Sequence, residues 1–167
     1  MNPSVSDNPT PVAGARLWTG LFVWSLVCFA ASGLGAFSRP DGWYAALQKP
    51  AWNPPNWIFA PVWTTLYALM AVAAWLVWRR GGWAVQRGPL ALFVGQLLLN
   101  AAWSPLFFGR HRPGLALLDL AVLWVVLGLT VVVFGRVRRV SAGLLAPYLA
   151  WVTFAGALNF ALWQLNR

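Results

Sequence analysis

Five stretches of about twenty apolar residues, cut apart by arginines, limit what this chain can fold into. They run from Leu17 to Phe37, from about Trp57 to Trp78, and from Gly88 to Phe108; the last two are Pro113 to Phe134 and Ser141 to Leu165. Arg79–Arg80, Arg110–Arg112 and Arg136–Arg139 mark sharp breaks between them. At a rise of 1.5 Å per residue, about 20 helical residues cross a hydrocarbon core about 30 Å thick. Apolar and polar residues do not alternate with period two, so a membrane barrel is excluded. The expected fold is all-α: an integral membrane bundle of five transmembrane helices, with one long loop between the first and second.

Charge supports lipid as the solvent. Only 9% of the 167 residues are charged, where a soluble domain carries about a quarter. The acids are Asp7, Asp41 and Asp119, and Asp119 is the only charge inside a span. A net charge of +9 invites a nucleic-acid reading, but the basic residues sit at helix ends rather than on one patch, so no nucleic-acid partner is expected. Arg16, Arg79, Arg80, Arg87, Arg136, Arg138 and Arg139 share the side of the N-terminus; Arg39, Lys49, Arg110, Arg112 and Arg167 lie opposite. Seven against five places the N-terminus in the cytoplasm. The first span ends in Ala31-Ser32-Gly33, as a cleavable leader would. It is nevertheless longer than such a leader's apolar region and carries Trp18 and Trp24, so it reads as a true helix.

Residues 1–15 are polar and proline-rich, a disordered tail, and residues 16–167 form a single five-helix domain. The loop from Ser38 to Asn56 is the one long connection. Within it Gly42–Gln48 reads as a short helix with Asp41 as its N-cap, and a long ordered loop in such a position suits a lid. The other connections are a few residues long, which makes neighbouring helices antiparallel.

Thirteen tryptophans exceed what an interface belt needs. Trp63 and Tyr67 share a helix face with Met70 and Ala74. Gln96, Asn100, Trp103 and Phe107 form a second stripe, and Trp151, Ala155 and Leu158 or Asn159 a third. Measured from the side of the long loop, Trp63, Asp119 and Asn159 lie about 9 Å deep and Asn100 about 12 Å deep. Four helices thus bring polar or amphipathic groups to one depth beneath the loop. Polar residues in a span face the protein interior, and an ionisable one is a functional candidate. The same asparagines also suit plain interhelical hydrogen bonding. Aromatic walls with a few convergent polar groups describe a ligand pocket. No His/Cys/carboxylate cluster suits a metal, and the lone cysteine, Cys28, reads as a core hydrophobe. The single histidine, His111, lies in the short third loop, so a tetrapyrrole in such a pocket would be held by stacking rather than by axial ligation.

Three segments carry a family resemblance: RPDGWYAALQKPAWNPPNWIFAPVWTTLY (Arg39 to Tyr67), QLLLNAAWSPLFF (Gln96 to Phe108) and PYLAWVTFAGALNFALWQLN (Pro147 to Asn166). The W-x-P-P segment at Trp52 to Pro55, followed by V-W-x-x-L-Y, is highly specific. Here the sequence resembles the translocator protein family, also called tryptophan-rich sensory proteins or peripheral benzodiazepine receptors. The resemblance implies a bacterial membrane protein, commonly dimeric, with a cavity capped by the first loop. It implies binding of porphyrins such as protoporphyrin IX and haem, of isoquinoline and benzodiazepine-type drugs, and in some members of sterols. No cofactor is required, and porphyrin or haem enters as ligand. Carried over by position, the ligand-binding residues are Trp43, Trp63, Tyr67, Asn100, Trp103, Trp151, Phe154, Ala155 and Leu158; the depth argument adds Asp119. Trp63 and Trp151 match the tryptophans linked in bacterial relatives to light-dependent porphyrin breakdown, an alternative role, as is transport of porphyrins or related small molecules. Tyr148 has no basic residue after it until Arg167, so the sterol-recognition pattern, which needs one close by, is not met. Small-xxx-small spacings at Ala31/Gly35 and Ala91/Gly95 suit close helix approach, within the bundle or between two copies.

Overall fold

The computed structural model describes residues 14–38 and 40–167. The stretch read as a tail lies outside them except for Gly14 and Ala15, and so does Arg39. Six α-helices follow: α1 (Ala15–Ala36), α2 (Gly42–Ala46), α3 (Phe59–Trp78), α4 (Gly82–Ser104), α5 (Pro113–Val137) and α6 (Arg139–Leu165). A 3-10 turn, Asn56–Ile58, leads into α3, and a π turn, Pro105–Gly109, continues α4. Among the described residues there is no strand, and all the long helices except short α2 are long and apolar enough to cross a membrane, which gives the five expected spans.

Three boundaries differ from the sequence reading. The third span begins at Gly82 rather than Gly88, because Gly81 and Gly82, at φ 120° and 69°, turn the chain and the helix starts at once. It kinks at Gln86, whose φ/ψ is −103°/22°. Pro89 lies three residues on, and its ring has no room for a straight preceding turn. The fourth span runs on to Val137 and the fifth starts at Arg139, so only Arg138, extended at φ −158°, separates them. Arginines are good helix formers, and Arg136 and Arg139 lie in the helix ends rather than in a loop.

The helices form a ring in the order α1, α3, α6, α5, α4, with α3 also touching α4 across the centre. Small residues set the close approaches. Ala71, Ala73 and Ala74 of α3 are buried, the Trp78 ring lies over Gly20, and a Cβ at Gly35 would stand 3.4 Å from Ser104 Oγ. The Ala31/Gly35 spacing therefore serves α1–α4 packing. At Gly95, by contrast, a Cβ would meet nothing within 4 Å, and Ala91 is exposed. Trp75 Nε1 donates to Leu17 O at 2.9 Å, tying α3 to the start of α1. The outer faces carry Trp18, Phe22, Leu26, Leu118, Val125 and Leu129, all largely exposed, as expected of surface that meets acyl chains rather than water.

The long loop is fastened at both ends. Asp41 caps α2 by accepting from Tyr44 N at 3.3 Å. Beyond the helix, Lys49 Nζ donates to the carbonyls of Tyr44, Ala45 and Leu47 at 2.7, 3.1 and 3.2 Å, closing its C-terminus with a cation. Gln48 then pairs with the last turn of α6: its N–H donates to Asn166 Oδ1 at 2.9 Å, and Asn166 Nδ2 returns a bond to Gln48 O at 3.0 Å.

Candidate functional site

Under the loop lies a cavity of about 430 Å³, within the range of small-molecule sites. Its walls differ in chemistry. On the α3–α6 side the aromatic rings are contiguous: Phe59 packs on Trp151 at 5.9 Å between centroids, Trp63 on Trp151 at 6.4 Å, and Trp151 on Phe154 at 5.4 Å. Trp63 also meets Tyr67 at 5.6 Å, as a four-residue helical spacing dictates. On the α1 side the lining is smaller and hydroxylated, Ser32, Gly35 and Ser38 with Ser104 of α4, while α4 and its π turn also bring Trp103, Phe107 and Phe108. Leu120 and Leu123 of α5 close the far side. Among the described residues, no charged one lines it.

The polar layer read from depth is real, but much of it joins helices. Tyr67 Oη donates a hydrogen bond to Asn100 Oδ1, and Asn100 Nδ2 donates to Tyr148 Oη at 2.9 Å. One side chain of α4 therefore links α3 to α6. Asn159 accepts from Trp103 Nε1 at 3.0 Å and donates to Pro113 O at 2.8 Å, linking α4, α6 and the start of α5. Gln96 lies a turn below Asn100, fully buried against Met70 Sδ at 3.9 Å, and does not reach the cavity.

Of the ten residues expected at a ligand site, Trp63, Tyr67, Asn100, Trp103, Trp151, Phe154, Ala155 and Leu158 line the cavity; Trp43 and Asp119 do not. Asp119 fails on helical phase. Leu120 and Leu123 of α5 point into the cavity, and the residue before Leu120 is turned about 100° away. Asp119 Oδ2 is enclosed with no hydrogen-bond partner. Trp43 is in the loop as expected but faces sideways, stacked on His111 at 4.4 Å and 19° and edge-on to Phe107 at 5.7 Å. The loop residues that do line the cavity are Ser38, Pro40, Tyr44 and Asn56, and burial pushes the Tyr44 phenol up from its ordinary value. Sequence reasoning passed over Tyr44 and the serines. Tyr44 could have been found as the neighbour of Trp43 on a short helix, whose consecutive side chains face different ways; Ser32 and Ser104 could have been found as lone hydroxyls at the same depth as Trp63.

Comparison with known proteins agrees with this architecture. The TspO/MBR family profile matches residues 21–164. The chain belongs to that family. It is 47% identical over 139 residues to the translocator protein of Bos taurus, covering 80% of this chain and 82% of that one. It is 44% identical over 147 residues to the translocator protein of Homo sapiens, covering 86% and 85%. It is 38% identical over 149 residues to the tryptophan-rich sensory protein of Cereibacter sphaeroides, covering 89% and 92%. This TspO/MBR protein is thus an integral membrane protein of the translocator and tryptophan-rich sensory type, and the capped cavity is its candidate site. Tyr148, at the position examined for sterol recognition, is fully buried and held by Asn100.

Proposed function

We propose that this protein binds flat aromatic ligands of the porphyrin class, protoporphyrin IX and haem among them, and drug-like molecules of similar shape, as a sensor or regulator of tetrapyrrole or stress state. The observation that carries this reading is the contiguous wall of Phe59, Trp63, Trp151 and Phe154 in a cavity under a capping loop. Such a wall offers one extended π surface to a planar molecule, while Ser32, Ser38 and Ser104 opposite suit hydrogen bonding to its polar edge. No histidine, cysteine or methionine is among the described lining residues, and the aromatic wall offers stacking and enclosure to haem and to its metal-free analogue.

Titrating protoporphyrin IX against tryptophan fluorescence tests this. Each aromatic contact is worth about 0.5–1.5 kcal/mol, so Trp63→Ala with Trp151→Ala weakens binding by about five- to a hundred-and-fifty-fold. Unchanged affinity in the double variant would refute the site. Light-dependent breakdown of the bound porphyrin is a second reading, favoured by the Trp63–Trp151 contact in the wall: dioxygen is the oxidant, and product formed equally in the dark would exclude photochemistry. The same proposal sets the seven-arginine face in the cytoplasm and assigns homodimer contact to the outward Ala91–Gly95 stretch of α4.

A further inference from the structure

Trp43 and His111, one expected in the cavity and the other given no role, meet outside it. His111 Nε2 lies 3.2 Å from Asp41 Oδ2, and its ring stacks face to face on Trp43. Both partners belong to the capping loop, whereas His111 belongs to the connection between the π turn and α5. His111 also has φ 52°, the only non-glycine residue with positive φ among the described residues. Such a backbone state is uncommon outside glycine, and histidine is among the few side chains that adopt it readily. We propose that His111 is a positioning residue for the capping loop: its protonated ring latches Asp41 and Trp43 over the cavity, so ligand residence lengthens in mild acid and shortens as the ring loses its proton. This rests on the ligand-binding reading above.

The chemistry supports a switch. A neutral imidazole offers Asp41 one ordinary hydrogen bond, while an imidazolium adds an ion pair and a cation over the Trp43 face. Asp41 is the carboxylate that touches the ring. Arg110 and Arg112 flank it in its own connection, and Lys49 is turned to the carbonyls at the far end of α2. Asp41 stays ionised across the range where imidazole changes charge, because the Tyr44 backbone N–H, and after it His111, hold its carboxyl below the ordinary carboxylate range.

The sign follows from linkage. The latch needs the imidazolium and the carboxylate together, so it weakens as the ring gives up its proton with rising pH. It also fails in strong acid, below the ordinary carboxylate value of about 3.9, once Asp41 itself protonates. Half-exposed partners limit the gain, so the change in loop opening is about two- to five-fold.

Hydrogen exchange of the Gly42–Leu47 amides in the full-length protein in lipid nanodiscs, read as the ratio of variant to wild type at each pH, isolates the loop without any ligand. His111→Asn removes the imidazole while keeping a residue that tolerates positive φ. Asp41→Asn removes the charge while keeping an N-cap. Both variants are expected to exchange about two- to five-fold faster than wild type at pH 5.5 and by a smaller ratio at pH 8.5, where the neutral ring keeps only its ordinary hydrogen bond and its stack on Trp43, and protoporphyrin IX release from each should follow the same profile. Equal ratios at the two pH values in both variants would overturn the latch. Porphyrin that fails to bind while the exchange ratios still change with pH would overturn the ligand reading and leave the latch standing.

Discussion

Asn100 is the joint on which the cavity floor depends, and its energetics can be worked out from its two bonds. It accepts from Tyr67 and donates to Tyr148, and Tyr148 has no exposed surface. Interhelical hydrogen bonds in bilayers average about 0.6 kcal/mol and reach about 1.7. Asn100→Leu loses both, a cost of about 1.2–3.4 kcal/mol, and strands the buried Tyr148 hydroxyl. Tyr148→Phe alone loses one, about 0.6–1.7 kcal/mol, and strands an amide N–H. In the double variant no Tyr148 hydroxyl is left to be stranded, so Asn100→Leu/Tyr148→Phe should be no less stable than Asn100→Leu alone. Reversible unfolding in mixed micelles, run as a four-point cycle, measures this. Additive losses would show that the two residues do not interact and would refute the account of the floor.

Four further expectations follow from particular contacts. Gly20→Ala overlaps the Trp78 ring and should cost about 1–3 kcal/mol by the same unfolding assay, whereas Gly95→Ala, with open space around it, should be near neutral. Gly81→Ala strains a backbone at φ 120° and drives its Cβ to 2.7 Å from Val85 Cγ2, so a loss of about 1–3 kcal/mol is expected. Replacing Ser32, Ser38 and Ser104 by alanine together should weaken protoporphyrin IX more than a porphyrin bearing only alkyl groups; equal effects on both would show that the hydroxyl wall does not read the polar edge. Asp41 has its carboxyl held low by the Tyr44 N–H, so its cap is present above about pH 3.9 and fades as pH falls through its folded value. Exchange of the Tyr44 amide, compared with Asp41→Asn, should show that loss in wild type only.

The five spans were legible because bilayer thickness imposes a length and composition that few other folds need, and Pro113 opens the fourth where helix chemistry requires; the glycine turn at Gly81–Gly82, which starts the third, was not read. The capping helix was legible too, because Asp41 precedes it in the position of an N-cap. What depth arithmetic could not supply was rotation. Trp63, Asn100 and Asp119 share a level, yet Asp119 is one residue from the phase that faces the cavity, and about 100° per residue separates lining from not lining. Trp43 failed for a related reason: on a helix of five residues, Trp43 and Tyr44 look in different directions, and only the packing of Tyr44 on Phe107 and Phe108 decides which one turns inward. The Gln48–Asn166 pairing spans 118 residues and has no local signature at all.

That pairing makes a last expectation definite. Asn166→Ala removes the two bonds to Gln48, but the freed backbone groups are exposed and rehydrate, so global stability should fall by less than about 1 kcal/mol. The effect on the loop is different in kind. With the Asp41–His111 end still tied, the released end stays at high effective concentration near its site and recloses quickly. The converse holds when only the Asp41 end is cut. Each single variant should therefore speed exchange of the Gly42–Leu47 amides modestly. Asp41→Asn with Asn166→Ala should speed it by less than the product of the two, because each single variant already forfeits the guidance that one end gives the other. A simple product of the single effects would mean that the two fastenings act on separate pieces of chain, and that the loop does not move as one cap.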